Sequence, residues 1–160
     1  MSQAKKTNAL RMLDTRHIPY ESTEYTLEDG FTTGSDIARM LGLDPDAVFK
    51  TLVTESNDKE HFVCVIPVDG ELDLKKAARY FGVKKLEMLP LKKLLPLTGY
   101  VHGGCSPVGM KKPFPTVIDE TAVLFSEIYV SGGRIGLQLK IRPEDLAEMI
   151  EAGFADLTVE

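Results

Sequence analysis

The fold of this chain is decided by residues 48–68, VFKTLVTESNDKEHFVCVIPV. Two runs rich in β-branched and aromatic residues, 48–55 and 61–68, flank a polar segment, and this pattern predicts an antiparallel hairpin. Alternation in the first run puts Lys50 on one face between Val48 and Leu52, while the opposite face is also largely apolar. A lysine among such neighbours must find a partner, lose its charge or extend its amine to solvent. The functional interpretation is a cation at the floor of a pocket, where it meets a phosphate.

Helices are predicted on both sides of this hairpin from amphipathic spacing, capping residues and glycine stops. The clearest begins after Asp73 and ends at Gly82, because its apolar residues recur every three or four positions while its basic residues lie off that face. Further helical segments are predicted within residues 5–17, 33–42, 89–95 and 143–153, with a helical turn at Asp44-Pro45.

Further strands are predicted at residues 20–26, 115–120, 127–131 and 134–141, the last two joined by a two-residue turn at Gly132-Gly133. Strands that cluster as hairpins, with helices between and beside them, indicate a mixed α+β fold. We therefore expect one domain over residues 1–160, in which helices flank a mixed, largely antiparallel sheet that curls towards a barrel.

Composition excludes several classes of protein. The chain has 160 residues, of which 43% are apolar and 27% charged, and this is globular rather than disordered composition. Its net charge of −5 does not favour nucleic-acid binding by bulk charge. Neither a membrane-length apolar run nor a secretory signal is present in the sequence, which predicts a cytoplasmic protein without a membrane partner. Two cysteines are too few for a disulfide scaffold.

Basic residues are concentrated in one part of this acidic chain. Residues 75–112 contain nine lysine or arginine residues against a single acid, Glu87. This asymmetry predicts a basic face that grips phosphates, although solvated surface lysines would give the same pattern. The basic stretch runs into a loop, residues 99–109, with five glycine or proline residues, whose backbone amides can approach an anion closely or simply form a tight turn.

Common catalytic and metal motifs are weak in this sequence. His61 and Cys64 lie three apart in a predicted strand and therefore face opposite sides, so we expect no metal site. Cys105 near His102 resembles an activated thiol, yet no third group orients the pair, which leaves a passive loop residue as the alternative. The serines have no nearby His-Asp partner for a triad.

Several segments together resemble the YbaK/EbsC family of freestanding aminoacyl-tRNA deacylases, which is related to the editing domain of bacterial prolyl-tRNA synthetases. The resemblance covers nearly the whole chain and is most specific in the glycine-rich loop and the final hairpin. The segments are VFKTL, PVDGELDLKKAA, TGYVHGGCSPVGMKK, PTVIDE and IYVSGGRIGL. The fold implied is a curled mixed sheet flanked by helices, in agreement with the pattern above.

The resemblance also implies the site residues. It assigns catalytic positions to Lys50, Gly103 and Tyr25. It assigns substrate binding to Thr51, Thr33, Gly104, Ser106, Ser131 and Gly132. Two positions depart from the family: Thr33 replaces a phenylalanine and Gln138 replaces an aspartate, which puts the amino-acid specificity in question.

The implied activity is hydrolysis of cysteine mischarged on proline tRNA, or on cysteine tRNA, without metal or cofactor. The substrate thiol attacks its own ester carbonyl and expels the terminal ribose, so that no protein nucleophile is needed. The implied partners are the acceptor end of tRNA and a prolyl-tRNA synthetase, with no role for DNA. Two alternatives remain open: a deacylase that uses water to remove alanine from proline tRNA, and a non-catalytic module that binds tRNA or a synthetase.

Overall fold

The computed structural model describes residues 6–26 and 34–160. The described helices are α1 (Asn8–Thr15), α2 (Gly34–Met40), α3 (Leu74–Phe81), α4 (Leu91–Thr98) and α5 (Pro143–Ile150). The described strands are β1 (Glu21–Glu24), β2 (Phe49–Ser56), β3 (His61–Pro67), β4 (Leu86–Met88), β5 (Thr116–Asp119), β6 (Ile128–Ser131), β7 (Leu137–Ile141) and β8 (Gly153–Ala155). Short 3₁₀ turns lie at Pro45–Ala47 and Glu120–Leu124. The mixed α+β class predicted from the sequence is confirmed.

The strands form two sheets rather than one. A five-stranded mixed sheet has the order β4-β2-β3-β5-β8, and a three-stranded antiparallel sheet has the order β1-β7-β6. The predicted hairpin is present as β2 and β3, paired antiparallel from Phe49 opposite Pro67 to Glu55 opposite His61. Strands β3, β5 and β8 run parallel, which accounts for the mixed character. The two sheets do not close into a barrel.

The two sheets meet at the start of β2. Val48 forms an isolated parallel bridge to Tyr129 in β6, which is the contact that aligns the three-stranded sheet with the five-stranded one. Position 50 of β2 and position 131 of β6 each lie two residues beyond this bridge, so their side chains are on the same side of the junction. The cavity described below is at this junction.

Both faces of the five-stranded sheet are covered, which agrees with the apolar character of both faces of β2. On one face, Phe49 and Val65 pack into a core with residues of α1, α5 and the three-stranded sheet. On the other face, Cys64 and Ile66 pack against Ala77 of α3. Asp73 caps α3 by accepting hydrogen bonds from the amides of residues 75 and 76, and Gly82 ends it in the left-handed conformation, as its sequence predicted.

Three local predictions are wrong. The turn between β6 and β7 is not two residues long, since β7 begins at Leu137 and residues 132–136 form the loop. Helix α4 continues to Thr98 with Pro96 inside it, because Leu94 and Leu97 pack against a core cluster and outweigh the missing amide. Gly153 does not close the last helix: that helix ends at residue 151 in the left-handed conformation, and Gly153 pairs with β5 as the start of β8.

The structure also contains one short strand that the sequence did not predict. Strand β4 (Leu86–Met88) pairs with the end of β2, but three residues are too few to give a periodic signal. No helix within residues 6–26 and 34–160 has the length and apolar character needed to cross a membrane.

Candidate active site

A cavity of about 450 Å³ lies at the junction of the two sheets. Most of its lining comes from four parts of the chain: residues 48–52 at the start of β2, the beginning of α2, the glycine-rich loop after α4, and the adjoining ends of β6 and β7. Because those parts come from distant positions in the sequence, the cavity exists only in the folded chain. A volume of this order accommodates a small organic ligand.

Lys50 lies in the wall of this cavity and is half-buried. Within the described part of the chain, its amine makes no hydrogen bond or ion pair. The two other partly buried lysines there are both paired, Lys76 with Asp156 at 2.8 Å and Lys140 with Glu127 at 3.8 Å. The next residue, Thr51, also lines the cavity, and its hydroxyl oxygen is buried with no hydrogen-bond partner among the described residues. An unpaired cation beside an unsatisfied hydroxyl is unusual for a wall with a purely structural role.

The glycine-rich loop carries Gly103 into the same cavity. Gly103 has φ +87°, a conformation that favours glycine. Its neighbour Gly104 instead packs against the loop between β6 and β7, where an added Cβ would lie 2.8 Å from the backbone nitrogen of Ile135. The loop is thus docked on the three-stranded sheet through Gly104 and presents Gly103 to the cavity.

Ser106 and Gly104 do not line the cavity. Ser106 is fully buried, and its hydroxyl accepts a hydrogen bond from the amide of Val108 at 3.2 Å, inside the loop. Tyr100 supports the same loop by donating its hydroxyl hydrogen to the carbonyl of Val108 at 2.7 Å. These residues hold the loop's shape, so any effect they have on a ligand passes through the loop residues that line the cavity, His102, Gly103 and Cys105.

The three-stranded sheet contributes polar groups to the opposite wall. Ser131 and Gln138 lie directly opposite each other on β6 and β7, and both line the cavity. Gly132 does not line it: its amide donates to the carbonyl of Leu137 at 2.9 Å, and an added Cβ would collide with the Leu137 side chain. Gly132 is therefore needed for the close return of the hairpin.

Tyr25 also lines the cavity, directly after β1. Its backbone amide donates to the carbonyl of Gly136 at 2.8 Å, which fixes the end of β1 against the β6–β7 loop. Burial raises the pKa of the Tyr25 hydroxyl, so this group is a neutral hydrogen-bonding group at physiological pH. Thr33, the other predicted substrate-binding residue near this wall, lies outside the described residues.

The two cysteines are protonated thiols. Cys105 lines the cavity, but burial raises its pKa to about 12. Cys64 lies in the core against α3, and burial likewise raises its pKa to about 12. A thiol with such a pKa is a thiolate in only about one molecule in 100,000 at pH 7. Cys105 is therefore poorly suited to act as a nucleophile.

The histidines are not arranged for metal binding. His61 contacts Glu55 at 3.0 Å, on the opposite face of the sheet from Cys64, as the alternation predicted. His102 is exposed and lines the cavity. The described residues contain no cluster of three or more side chains that would hold a metal ion.

Several side chains of the basic stretch, residues 75–112, make contacts within the protein. Lys93 pairs with Glu55 at 3.6 Å and the amine of Lys112 lies 5.3 Å from the ring centre of Phe114. Lys85 pairs with Glu87 at 3.1 Å, and Lys111 donates to the carbonyl of Pro96 at 3.2 Å. The exposed basic side chains of this stretch that make no ion pair, hydrogen bond or ring contact within residues 6–26 and 34–160 are Lys75, Arg79, Lys84 and Lys92. These four remain available to an anionic partner.

The cavity also contains residues that sequence reasoning missed. Ser35 and Ile37 of α2 line it, as do Val68 after β3 and Leu94 of α4. The capping pattern predicted α2 but carried no signal for where it packs. Gln138 entered only as a departure from a family pattern, because the alternation in Leu137–Ile141, LQLKI, places it on one face with Lys140 and carries no signal that this position lines a cavity.

Comparison with known proteins defines the class of this chain. Residues 28–149 match the model of the family described as "Aminoacyl-tRNA editing domain". The chain therefore belongs to the aminoacyl-tRNA editing domain family. The family expected from the sequence is confirmed, and with it the expectation of an enzyme that acts on the ester bond of aminoacyl-tRNA.

Individual relatives narrow the comparison. The chain is 44% identical over 154 residues to a protein of Enterococcus faecalis named "Putative Cys-tRNA(Pro)/Cys-tRNA(Cys) deacylase EbsC", with 96% of this chain and 94% of that protein covered. It is 32% identical over 85 residues to a proline–tRNA ligase of Pelobacter propionicus, which covers 53% of this chain and 15% of the ligase. Among solved structures, it is similar to one described as "Crystal structure of a putative trans-editing enzyme for prolyl tRNA synthetase", with a TM-score of 0.84, 25% identity, and 99% and 100% of the two chains covered.

Proposed function

We propose that this chain is a freestanding editing domain over residues 1–160 that hydrolyses cysteine from mischarged proline tRNA in the cytoplasm. One observation carries the proposal: a lysine without a partner and a glycine loop face one cavity in a member of the editing family. The E. faecalis relative, whose name specifies cysteine on proline or cysteine tRNA, supports the choice of amino acid.

Lys50 would bind the phosphate or ribose of the terminal adenosine. Its amine has no competing anion among the described residues, so a phosphate that enters the cavity becomes its ion-pair partner. The adjacent Thr51 hydroxyl, which has no hydrogen-bond partner among the described residues, would gain a partner through a small shift on binding. Both residues lie on β2, a rigid central strand, which favours a preorganised site.

Gly103 and the neighbouring backbone of its loop would receive the aminoacyl group. A glycine lets the main chain approach the ester closely, since no side chain intervenes. Ser131 and Tyr25 would complete the wall on the opposite side. Through its contact with Ile135, Gly104 would keep the loop at the correct distance from these two residues.

The proposed reaction uses the thiol of the substrate. Its sulfur bonds to the ester carbonyl carbon, the bond from that carbon to the ribose oxygen breaks, and the thiol proton passes to the ribose oxygen. The products are tRNA with a free terminal hydroxyl and a thiolactone of cysteine, which water then hydrolyses. The protein supplies orientation, an entropic contribution that reaches several kcal/mol. The raised pKa of Cys105, about 12, agrees with a mechanism that needs no protein thiolate.

The function is tested by a deacylation panel. Purified protein should release tRNA from Cys-tRNA(Pro) and leave correctly charged Pro-tRNA(Pro) intact. A parallel assay with Ala-tRNA(Pro) separates the proposal from the alanine alternative, which the neutral Gln138 in the cavity wall motivates because alanine must be attacked by water. Salt-sensitive tRNA binding without hydrolysis of any substrate would instead establish a binding module.

A partner synthetase is tested by adding prolyl-tRNA synthetase to the same assay. The exposed, unpaired basic side chains of residues 75–92 are candidates for contact with the acceptor stem or with the synthetase. Charge reversal at Lys84 should weaken tRNA binding and reduce its salt dependence if the stem is the partner. An effect that is seen only in the presence of the synthetase would assign this surface to the protein partner.

A further inference from the structure

Gln138 is a polar side chain buried in the cavity wall without a partner. It lies in the middle of the three-stranded sheet and is 6% exposed. Within residues 6–26 and 34–160, its amide makes no hydrogen bond. Unlike the Thr51 hydroxyl, the Gln138 amide is not among the fully buried polar atoms without a partner in the described residues, so it is reached from the cavity. Because Gln138 lines the cavity, a ligand in the cavity can form a hydrogen bond with its amide.

The register of the strands places Gln138 at the end of a polar row. Lys50 of β2 and Ser131 of β6 are each two residues beyond the bridge between Val48 and Tyr129, and Ser131 is directly opposite Gln138 on β7. Paired positions point to the same face of a sheet. The row therefore runs from a cation through a hydroxyl to a neutral amide, over about 10 Å at the usual spacing of strands.

The three groups of this row have different capacities. The Lys50 amine donates and carries charge. The Ser131 oxygen already accepts from the amide of Gly133 at 3.2 Å, so its hydrogen is left to donate. Gln138 offers a strong uncharged acceptor, its carbonyl oxygen, together with a donor. Of the three, Gln138 is the strongest acceptor for a ligand group that donates hydrogen bonds, because the Ser131 oxygen keeps only one lone pair and the Lys50 ammonium has none.

We propose that Gln138 accepts a hydrogen bond from the α-amino group of the aminoacyl moiety, an inference that rests on the function proposed above. With the terminal adenosine at Lys50, the ester lies beside Ser131 and the amino acid reaches the far end of the row. The α-amino group is the strong donor of a small aminoacyl ester, whereas a thiol donates weakly and a methyl group not at all. The apolar lining from Phe49, Val130 and Leu137 is left for the side chain.

The test compares substrates that differ only in the amino group. Cys-tRNA(Pro) and 3-mercaptopropionyl-tRNA(Pro) both carry the thiol that attacks the ester, and the second lacks the amine. Gln138→Leu should lower kcat/KM for the first about 10- to 100-fold, the usual cost of losing one hydrogen bond to a charged group, and change the second less than about threefold. Gln138→Glu, which keeps the shape of the side chain, should increase the preference for the amine-bearing substrate.

A matched control lies on the other side of the same residue. Thr23 of β1 pairs with Gln138 but is exposed and does not line the cavity, so Thr23→Val should leave the ratio between the two substrates unchanged. Equal losses on both substrates in Gln138→Leu would show a structural role and overturn the proposal, as would an unchanged ratio in both Gln138 variants.

A binding measurement keeps this proposal separate from the proposed function. Calorimetry with the non-hydrolysable amide 3′-cysteinylamino-3′-deoxyadenosine 5′-phosphate and its counterpart without the α-amine reports recognition without turnover. Discrimination by the wild type that Gln138→Leu removes, without hydrolysis of any aminoacyl-tRNA, would support the role of Gln138 and refute the deacylase. If the wild type hydrolyses Cys-tRNA(Pro) but binds the two analogues equally, the deacylase function is supported and the role of Gln138 is refuted. A wild type that neither binds nor hydrolyses refutes both.

Discussion

Replacement of Lys50 by methionine tests the proposed phosphate contact most directly. Lys50→Met keeps the length and apolar stem of the side chain and removes only its charge. Two unit charges about 4 Å apart interact by about 1 kcal/mol in water and about 4 kcal/mol near a protein surface. Lys50 is half-buried in the wall of an open cavity, so we expect a loss of about 2–3 kcal/mol, equal to a 30- to 150-fold decrease in kcat/KM.

The assay is single-turnover deacylation of Cys-tRNA(Pro) at two salt concentrations. The difference in kcat/KM between wild type and Lys50→Met should be smaller at high salt, because screening weakens the lysine–phosphate attraction in the wild type. Lys59→Met is the matched control, since Lys59 is an exposed lysine between β2 and β3 that pairs with Glu55 at 3.4 Å and lies outside both the cavity lining and the basic stretch. Wild-type deacylation by Lys50→Met, with intact folding, would refute the assignment of the cavity as a phosphate-binding site.

Three further substitutions test the site and its support. Cys105→Ala should keep most of the deacylase activity, because Cys105, with a pKa of about 12, stays protonated. The rate on Cys-tRNA(Pro) should rise with pH up to the pKa of the substrate thiol, about 8.5. Loss of turnover in Cys105→Ala would point to a protein nucleophile. Gly104→Ala should destabilise the fold by about 2 kcal/mol and lower Tm by about 4–8 °C, because its Cβ would meet the backbone of Ile135 at 2.8 Å; an unchanged Tm would show that the loop yields easily. Asp119→Ala should cost about 3 kcal/mol of unfolding free energy in chemical denaturation, since the buried carboxylate accepts from the Leu157 amide at 2.9 Å and caps the following turn, and Asp119→Asn, which keeps an acceptor, should cost clearly less.

Local patterns predicted the elements that local contacts stabilise. The β2–β3 hairpin follows from two apolar runs around a polar segment, and α3 follows from Asp73 at its start and Gly82 at its end. The errors occur where a distant contact outweighs a local preference. Pro96 stays inside α4 because its neighbours pack into a core cluster, and Gly153 joins β5 because a parallel partner was available.

The candidate site divides in the same way. Lys50 was identifiable from its own strand, since a lysine in a two-faced apolar run is unusual at any position in a fold. Glycine density marked the loop of residues 99–109, but only the family resemblance singled out Gly103 within it. The meaning of Gln138 depends on its register opposite Ser131 and on its lack of a partner, and neither is visible in the residues around it.

The sequence alone determined the fold class, the family resemblance and two conspicuous parts of the candidate site, Lys50 and the glycine-rich loop. Composition, periodicity and unusual residues can be recognised from neighbours a few positions away. Only the tertiary structure decided that Lys50 and the glycine-rich loop line one cavity. The bridge between Val48 and Tyr129 joins segments far apart in the chain and aligns both sheets. Its register depends on the packing of many side chains at once, which no local stretch of sequence encodes.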